Sequence, residues 1–183
     1  MKSVLLKVSL LILLSALVSG CNTPAKFELQ EASISDIHQV LESGASSCEQ
    51  LVSAYLSRIE KVDQPTKLNA ITRVNPDALS LAKSLDEEYA GSKTFRALHC
   101  IPLIVKDNYD VEGMPTTAGS LTLKDNIAKS DAYQIRKLKE AGAIVLARSN
   151  MAEWAFSPRV TISSTAGETR NSFNRDYVSA GST

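Results

Sequence analysis

Apolar residues at Leu51, Val52, Tyr55, Leu56 and Ile59 recur at the three- and four-residue intervals of one helical face. That helix opens at Ser46 or Ser47, where Ser46 and Glu49 have the spacing of a capping box. A shorter helix precedes it, with Ser35 as cap and an end near Gly44. A third is predicted over NPDALSLAKSLDEEYAG, with Asn75 as cap, Pro76 in the first turn and Gly91 as the stop. Its buried face is expected to comprise Leu79, Ala82, Leu85 and Tyr89.

From Leu98 the pattern changes. IPLIV, Ile101 to Val105, is a short continuous apolar run, which predicts a strand buried on both faces. Glu112 to Ser120 is turn-rich. Ser130 is placed to cap a helix that Gly142 ends, with Asp131 in its first turn, where a carboxylate suits the dipole without any catalytic role. AIVLA, Ala143 to Ala147, is the next strand. Strand, crossover, helix and strand make a βαβ unit, so the two strands are expected to be parallel, with helices on both faces of the sheet.

The first twenty residues stand apart from this pattern. Lys2 and Lys7 flank the start of a short apolar stretch, Val8 to Val18, and VSGC closes it, as in an export signal. Ser19-Gly20-Cys21 is similar to the lipobox of bacterial lipoproteins, which implies a lipidated Cys21 at the mature N-terminus and a chain anchored to the cell envelope. An ordinary secretory signal and a retained anchor are the alternatives. Residues 1–20 are then a signal peptide, 21–34 a tether and 35–183 a folded unit. Without the signal, 18 basic residues face 20 acidic ones, with no basic block, so no nucleic-acid partner is expected. Cys48 and Cys100 either pair outside the cytoplasm or remain two buried, inert thiols, which is the plainer expectation. With two histidines and no paired cysteine spacing, neither a metal nor another cofactor is implied.

The chemistry concentrates at strand ends, since ligands of open α/β sheets bind beyond the carboxyl ends of the strands. Lys106 and Arg148 each follow one of the two strands. A lysine ending a buried strand is either paired, here with Asp107 or Asp110, or held neutral. Trp154 and Phe156 could line a cleft, but aromatics after a strand are expected in the core. SLAK, Ser80 to Lys83, fits an S-x-x-K motif without its companion elements and is a decoy on a solvated helix face. The second KDN, at Lys124, is a chance repeat in a loop.

Three blocks carry a resemblance: LHCIPLIVKDNYDVEGMPTTAGS, SDAYQIRKLKEAGAIVLARSNMAEWAF and SSTAGETRNSFNRDYVSAGST. In that order and spacing they resemble the amidase signature family, and SSCEQLVSAYLSRIEKVD is similar to the family's opening helices. The resemblance implies an α/β amidase-signature fold, a mixed central sheet flanked by helices on both faces, present only in its N-terminal part. It also implies hydrolysis of carboxamides through a Ser-Ser-Lys triad, with Lys106 as base and Ser182 as the bridging serine. In the family the nucleophilic serine lies about two dozen residues further on, in a glycine-rich segment that also forms the oxyanion hole. A chain ending at Thr183 is therefore expected to be inactive by itself, and poorly folded because its strand edges stay open. Two departures stand out: Cys100 and Ala180 occupy positions where the family usually has glycine, and Ala180 matters only if that position needs positive φ.

The expected substrate is a small-molecule or peptide amide, its identity and the oligomeric state unspecified. Alternatives are an amidotransferase A-type subunit, whose cytosolic work the export signal argues against, and a non-catalytic exported lipoprotein that keeps part of the fold.

Overall fold

The computed structural model describes residues 27–181. Cys21 and Ser182 lie outside the described residues. Helix α1 (Ile34–Glu42) is capped by Ser33 rather than Ser35, because Ser33 and Asp36 close a reciprocal capping box in which Ser33 Oγ accepts from Asp36 N. Helix α2 (Cys48–Val62) starts at the Ser47 cap, and the box is completed by Gln50, not by Glu49 with Ser46. Strand β1 (Ile71–Val74) follows, then α3 (Ala78–Ser92). The Asn75 side chain sits just ahead of α3, accepting from Asp77 N at 3.0 Å and donating to the Val145 carbonyl at 2.7 Å. The helix runs one residue past Gly91 and stops at Lys93, which takes the left-handed conformation. It buries Ala78, Ala82 and Leu85, while Leu79 faces solvent.

Strand β2 (Pro102–Lys106), helix α4 (Tyr133–Glu140) and strand β3 (Ile144–Ser149) form the expected βαβ unit. The strands pair in parallel, with Lys106 opposite Ser149. Helix α4 begins two residues after Asp131, which lies outside the first turn and accepts from Glu112 N and Lys139 Nζ. Strand β1 joins β3 antiparallel on its other side, so the sheet is mixed, in the order β1-β3-β2. A hairpin of β4 (Thr161–Ser163) and β5 (Gly167–Thr169) follows.

Alternation along β3 divides the core in two. Ile144 and Leu146 pack with Ile37, Leu51, Val52, Ala82 and Leu85 of the three helices. Val145 packs with Val105, Val111, Met114 and Ile135 under α4. Helices therefore cover both faces. Phe27, Leu29 and Ala32, ahead of α1, pack against the first of these clusters. Strand β3 is central and buried along its length, whereas β2 is the outer strand among the described residues. The expectation that β2 is buried on both faces therefore fails at Ile104, which is 52% exposed.

Cys48 and Cys100 are joined in a disulfide, so the expectation of two separate thiols is corrected. Trp154 and Phe156 are not core either: the short 3-10 turn at Glu153–Ala155 puts them at 58% and 90% exposure. Among the described residues no helix is long and apolar enough to cross a membrane.

Candidate active site

The site is built where β2 and β3 end side by side. Lys106 closes β2 half-buried, and its carbonyl accepts from Tyr109 N at 3.1 Å, turning the chain immediately after the strand. Its side chain borders a groove of about 640 Å³, shared with Leu103, Ile104, Tyr109 and Tyr133.

Asp107, one position on, points into the protein. Its carboxylate accepts from Arg148 Nη2 at 3.2 Å, from Thr117 N at 3.3 Å and from the Thr117 hydroxyl. Arg148 is 1% exposed and also donates to the Tyr109 carbonyl at 2.6 Å. Burial pulls its guanidinium below the ordinary arginine value, and the Asp107 charge opposes that pull. Arg148 lies within β3, one residue before its end, rather than after the strand as expected, and acts as a strut tying the turn after β2 to the end of β3. The Asp107 carbonyl also accepts from Ala118 N at 2.9 Å, which fastens the Thr116–Ser120 loop to the same place.

A second buried network continues from β3. Asn150 accepts from Ser163 Oγ at 2.7 Å and donates to Thr169 Oγ1 and to the Gly167 carbonyl, both at 3.0 Å. Ser163 Oγ in turn accepts from Ala166 N at 3.0 Å. These bonds dock the hairpin β4–β5 on the strand end. No functional role for Asn150, Ser163 or Thr169 was legible in the sequence. The available signal was the density of hydroxyl and amide residues in RSNM and SSTAGET. Glu153 caps the edge of this network, accepting from Ser164 N at 2.9 Å, and the Ser164 hydroxyl holds its carboxylate below the usual range.

The segment leading to Ser182 is anchored from two sides. Thr161 Oγ1 donates to the Ala180 carbonyl at 2.7 Å, and Gly181 N donates to the Pro158 carbonyl at 3.1 Å. Ala180 takes φ 66, so it does stand in a conformation that favours glycine. Cys100 does the same at φ 63. Gly181 is required sterically, since a Cβ there would lie 1.9 Å from the Ser157 carbonyl oxygen. Among the described residues no group of three or more His, Cys, Asp or Glu side chains could hold a metal ion.

The amidase family model matches residues 50–183. The chain belongs to the amidase family. It is 37% identical to the native peptide amidase of Stenotrophomonas maltophilia, with a TM-score of 0.78 over 85% of this chain and 33% of that one. It is 39% identical over 150 residues to a glutamyl-tRNA(Gln) amidotransferase A-type subunit from Lawsonia intracellularis, covering 82% of this chain and 30% of that protein. An indoleacetamide hydrolase from Bradyrhizobium diazoefficiens is 36% identical over 148 residues, 80% of this chain and 28% of its own length. The chain thus spans no more than a third of these three relatives. The α/β amidase-signature fold, with its mixed sheet and flanking helices, is shared over that part with the solved peptide amidase and with a solved amidase family protein from Bacillus anthracis, which is 37% identical with a TM-score of 0.78 over 84% of this chain and 32% of that one.

Proposed function

We propose that residues 35–183 supply the base and relay of an enzyme that hydrolyses carboxamides through a Ser-Ser-Lys triad. The observation that carries this reading is the position of Lys106: a half-buried amine at the carboxyl end of a strand, beside a parallel strand end, in a chain of the amidase family. In this mechanism Lys106 is the base that accepts a proton from Ser182, which accepts one from the nucleophilic serine attacking the amide carbon. A hydroxyl suits the bridging position because it donates and accepts at once. Backbone N–H groups then hold the developing oxyanion, and the relay returns the proton to the leaving amine. The Asp107–Arg148 pair positions the turn that carries the base.

The substrate class proposed is a small or peptide amide met outside the cytoplasm, with Cys21 lipidated and the protein held on the envelope membrane. A second reading, an amidotransferase A-type subunit, is favoured by the glutamyl-tRNA(Gln) amidotransferase relatives. The export-like start of the chain favours the hydrolase. The deciding experiment expresses the full-length product of the reading frame, including whatever follows Thr183, and assays amide hydrolysis before and after Lys106→Ala. Loss of hydrolysis by at least about 1,000-fold is expected. Near-normal turnover in the variant rejects Lys106 as the base. Ammonia-dependent amidation without free amide hydrolysis selects the second reading.

A further inference from the structure

We infer that the Cys48–Cys100 crosslink holds the start of β2 in place, so that the strand bearing Lys106 is fully ordered only where thiols are oxidised. Cys100 lies in the tight turn Leu98–Ile101, closed by Ile101 N donating to the Leu98 carbonyl at 2.9 Å. Its φ of 63 is costly for a residue with a Cβ. The turn is gripped from both sides. On one side Cys100 N donates to the Gly142 carbonyl at 2.9 Å, and Gly142 packs so closely that a Cβ there would sit 2.8 Å from His99 Cα. On the other side is the disulfide to Cys48, the first residue of α2. That residue is itself fixed by α3, because Asp86 accepts from Cys48 N at 2.7 Å.

The crosslink spans 52 residues and joins the helical layer to the sheet, with both sulfurs' residues in the main core. A cross-link of that span removes much of the unfolded chain's freedom, and here it also offsets the left-handed strain at Cys100. Strand β2 begins two residues after Cys100, so any slack in the turn passes directly along Pro102–Lys106. Forming the bond releases two thiol protons and two electrons. A disulfide acceptor, oxidised glutathione or a dithiol–disulfide oxidoreductase, takes them and leaves as two thiols. Cys48 and Cys100 are 1% and 0% exposed, so this chemistry belongs to folding rather than to a fast switch in the folded protein. The inference does not depend on amide hydrolysis, and neither outcome of that assay bears on it.

The test uses the full-length product purified without reductant. Peptide mapping is expected to find the Cys48 and Cys100 peptides joined; separate peptides overturn the inference. Reduction is expected to lower Tm by about 10 °C and to speed amide hydrogen exchange at Leu103 to Lys106 by about tenfold. An unchanged Tm, or unchanged exchange in that strand, overturns it. Cys100→Gly is expected to fall below the crosslinked protein in Tm yet above Cys100→Ala, because glycine adopts φ 63 freely. Equal Tm for the two variants, or a glycine variant as stable as the oxidised parent, overturns it. Should both variants fail to fold, reduction of the parent protein still gives the reading.

Discussion

Arg148 Nη2 lies 3.2 Å from Asp107 Oδ1, with both side chains almost wholly out of solvent. Asp107 follows β2 and Arg148 is the penultimate residue of β3, so the pair locks together the two strand ends that frame the candidate site. Removing one partner leaves the other as a buried, uncompensated charge, which costs about 3–5 kcal/mol. Arg148→Ala should therefore destabilise the full-length product by that amount in urea titrations, with little change in m. Arg148→Met with Asp107→Leu should recover most of it. A loss below about 1 kcal/mol in the single variant would show that the pair is not a strut.

Gly181 offers a test aimed at the relay. Its missing side chain lets the chain pass the Ser157 carbonyl, and a Cβ would come within 1.9 Å of that oxygen. Gly181→Ala should push the backbone away from Pro158 and displace Ser182. The expected outcome is a fall in kcat of about 100-fold with KM within about threefold, since a misplacement of about 1 Å in a catalytic group has that effect. Unchanged kcat would indicate that Ser182 is not where the family resemblance puts it.

The different fates of the sequence expectations have physical causes. Strands β2 and β3 and helix α2 were legible because periodicity and length point the same way in each. Strand β1 was not, because Ile-Thr-Arg-Val has no alternation and its pairing is dictated by β3. Ser33 prevailed over Ser35 because only Ser33 has an acid at the third helical position. Lys106 stood out as a cation ending an apolar run. The Asn150–Ser163–Thr169 network did not, because polar residues in turns have many possible partners and only the fold selects among them. The disulfide is likewise a tertiary fact, since separation along the chain says nothing about proximity.

His99 gives the fold a pH dependence. It is buried, its Nδ1 lacks a hydrogen-bond partner, and burial lowers its affinity for a proton below the ordinary value of 6.5, with Glu88 at 3.9 Å opposing. Below pH 6.5 the unfolded chain protonates this histidine before the folded one does. The unfolded state then binds more protons, so the contribution of His99 to stability is fully present above that pH. It is lost as pH falls toward the lowered folded value. Replacing His99 with Gln should flatten the pH dependence of unfolding free energy below pH 6.5, by up to about 1.4 kcal/mol per pH unit. An identical slope in parent and variant would assign the dependence elsewhere.

Export and anchoring can be read at one atom. If Cys21 carries the lipid, labelled palmitate should enter the protein in bacterial cells and the protein should sediment with membranes. Cys21→Ala should lose both the label and the sedimentation, because a multiply acylated cysteine anchors far more firmly than a single chain does. Sedimentation that survives without label would favour a retained apolar anchor, and a soluble exported parent would favour an ordinary secretory signal.

Strand β2 predicts how residues 22–183 behave by themselves. It pairs with β3 alone among the described residues, Ile104 is 52% exposed on it, and Tyr133 at the neighbouring end of α4 is 67% exposed. An apolar strand with an open edge is a template for pairing with another copy. Light scattering on this segment should show concentration-dependent assemblies. Ile104→Lys should reduce them, because a charge on an edge strand opposes stacking without disturbing a buried contact. A monodisperse monomer with a single cooperative thermal transition would show that the edge is harmless. Assemblies unaffected by Ile104→Lys would place the contact on another surface.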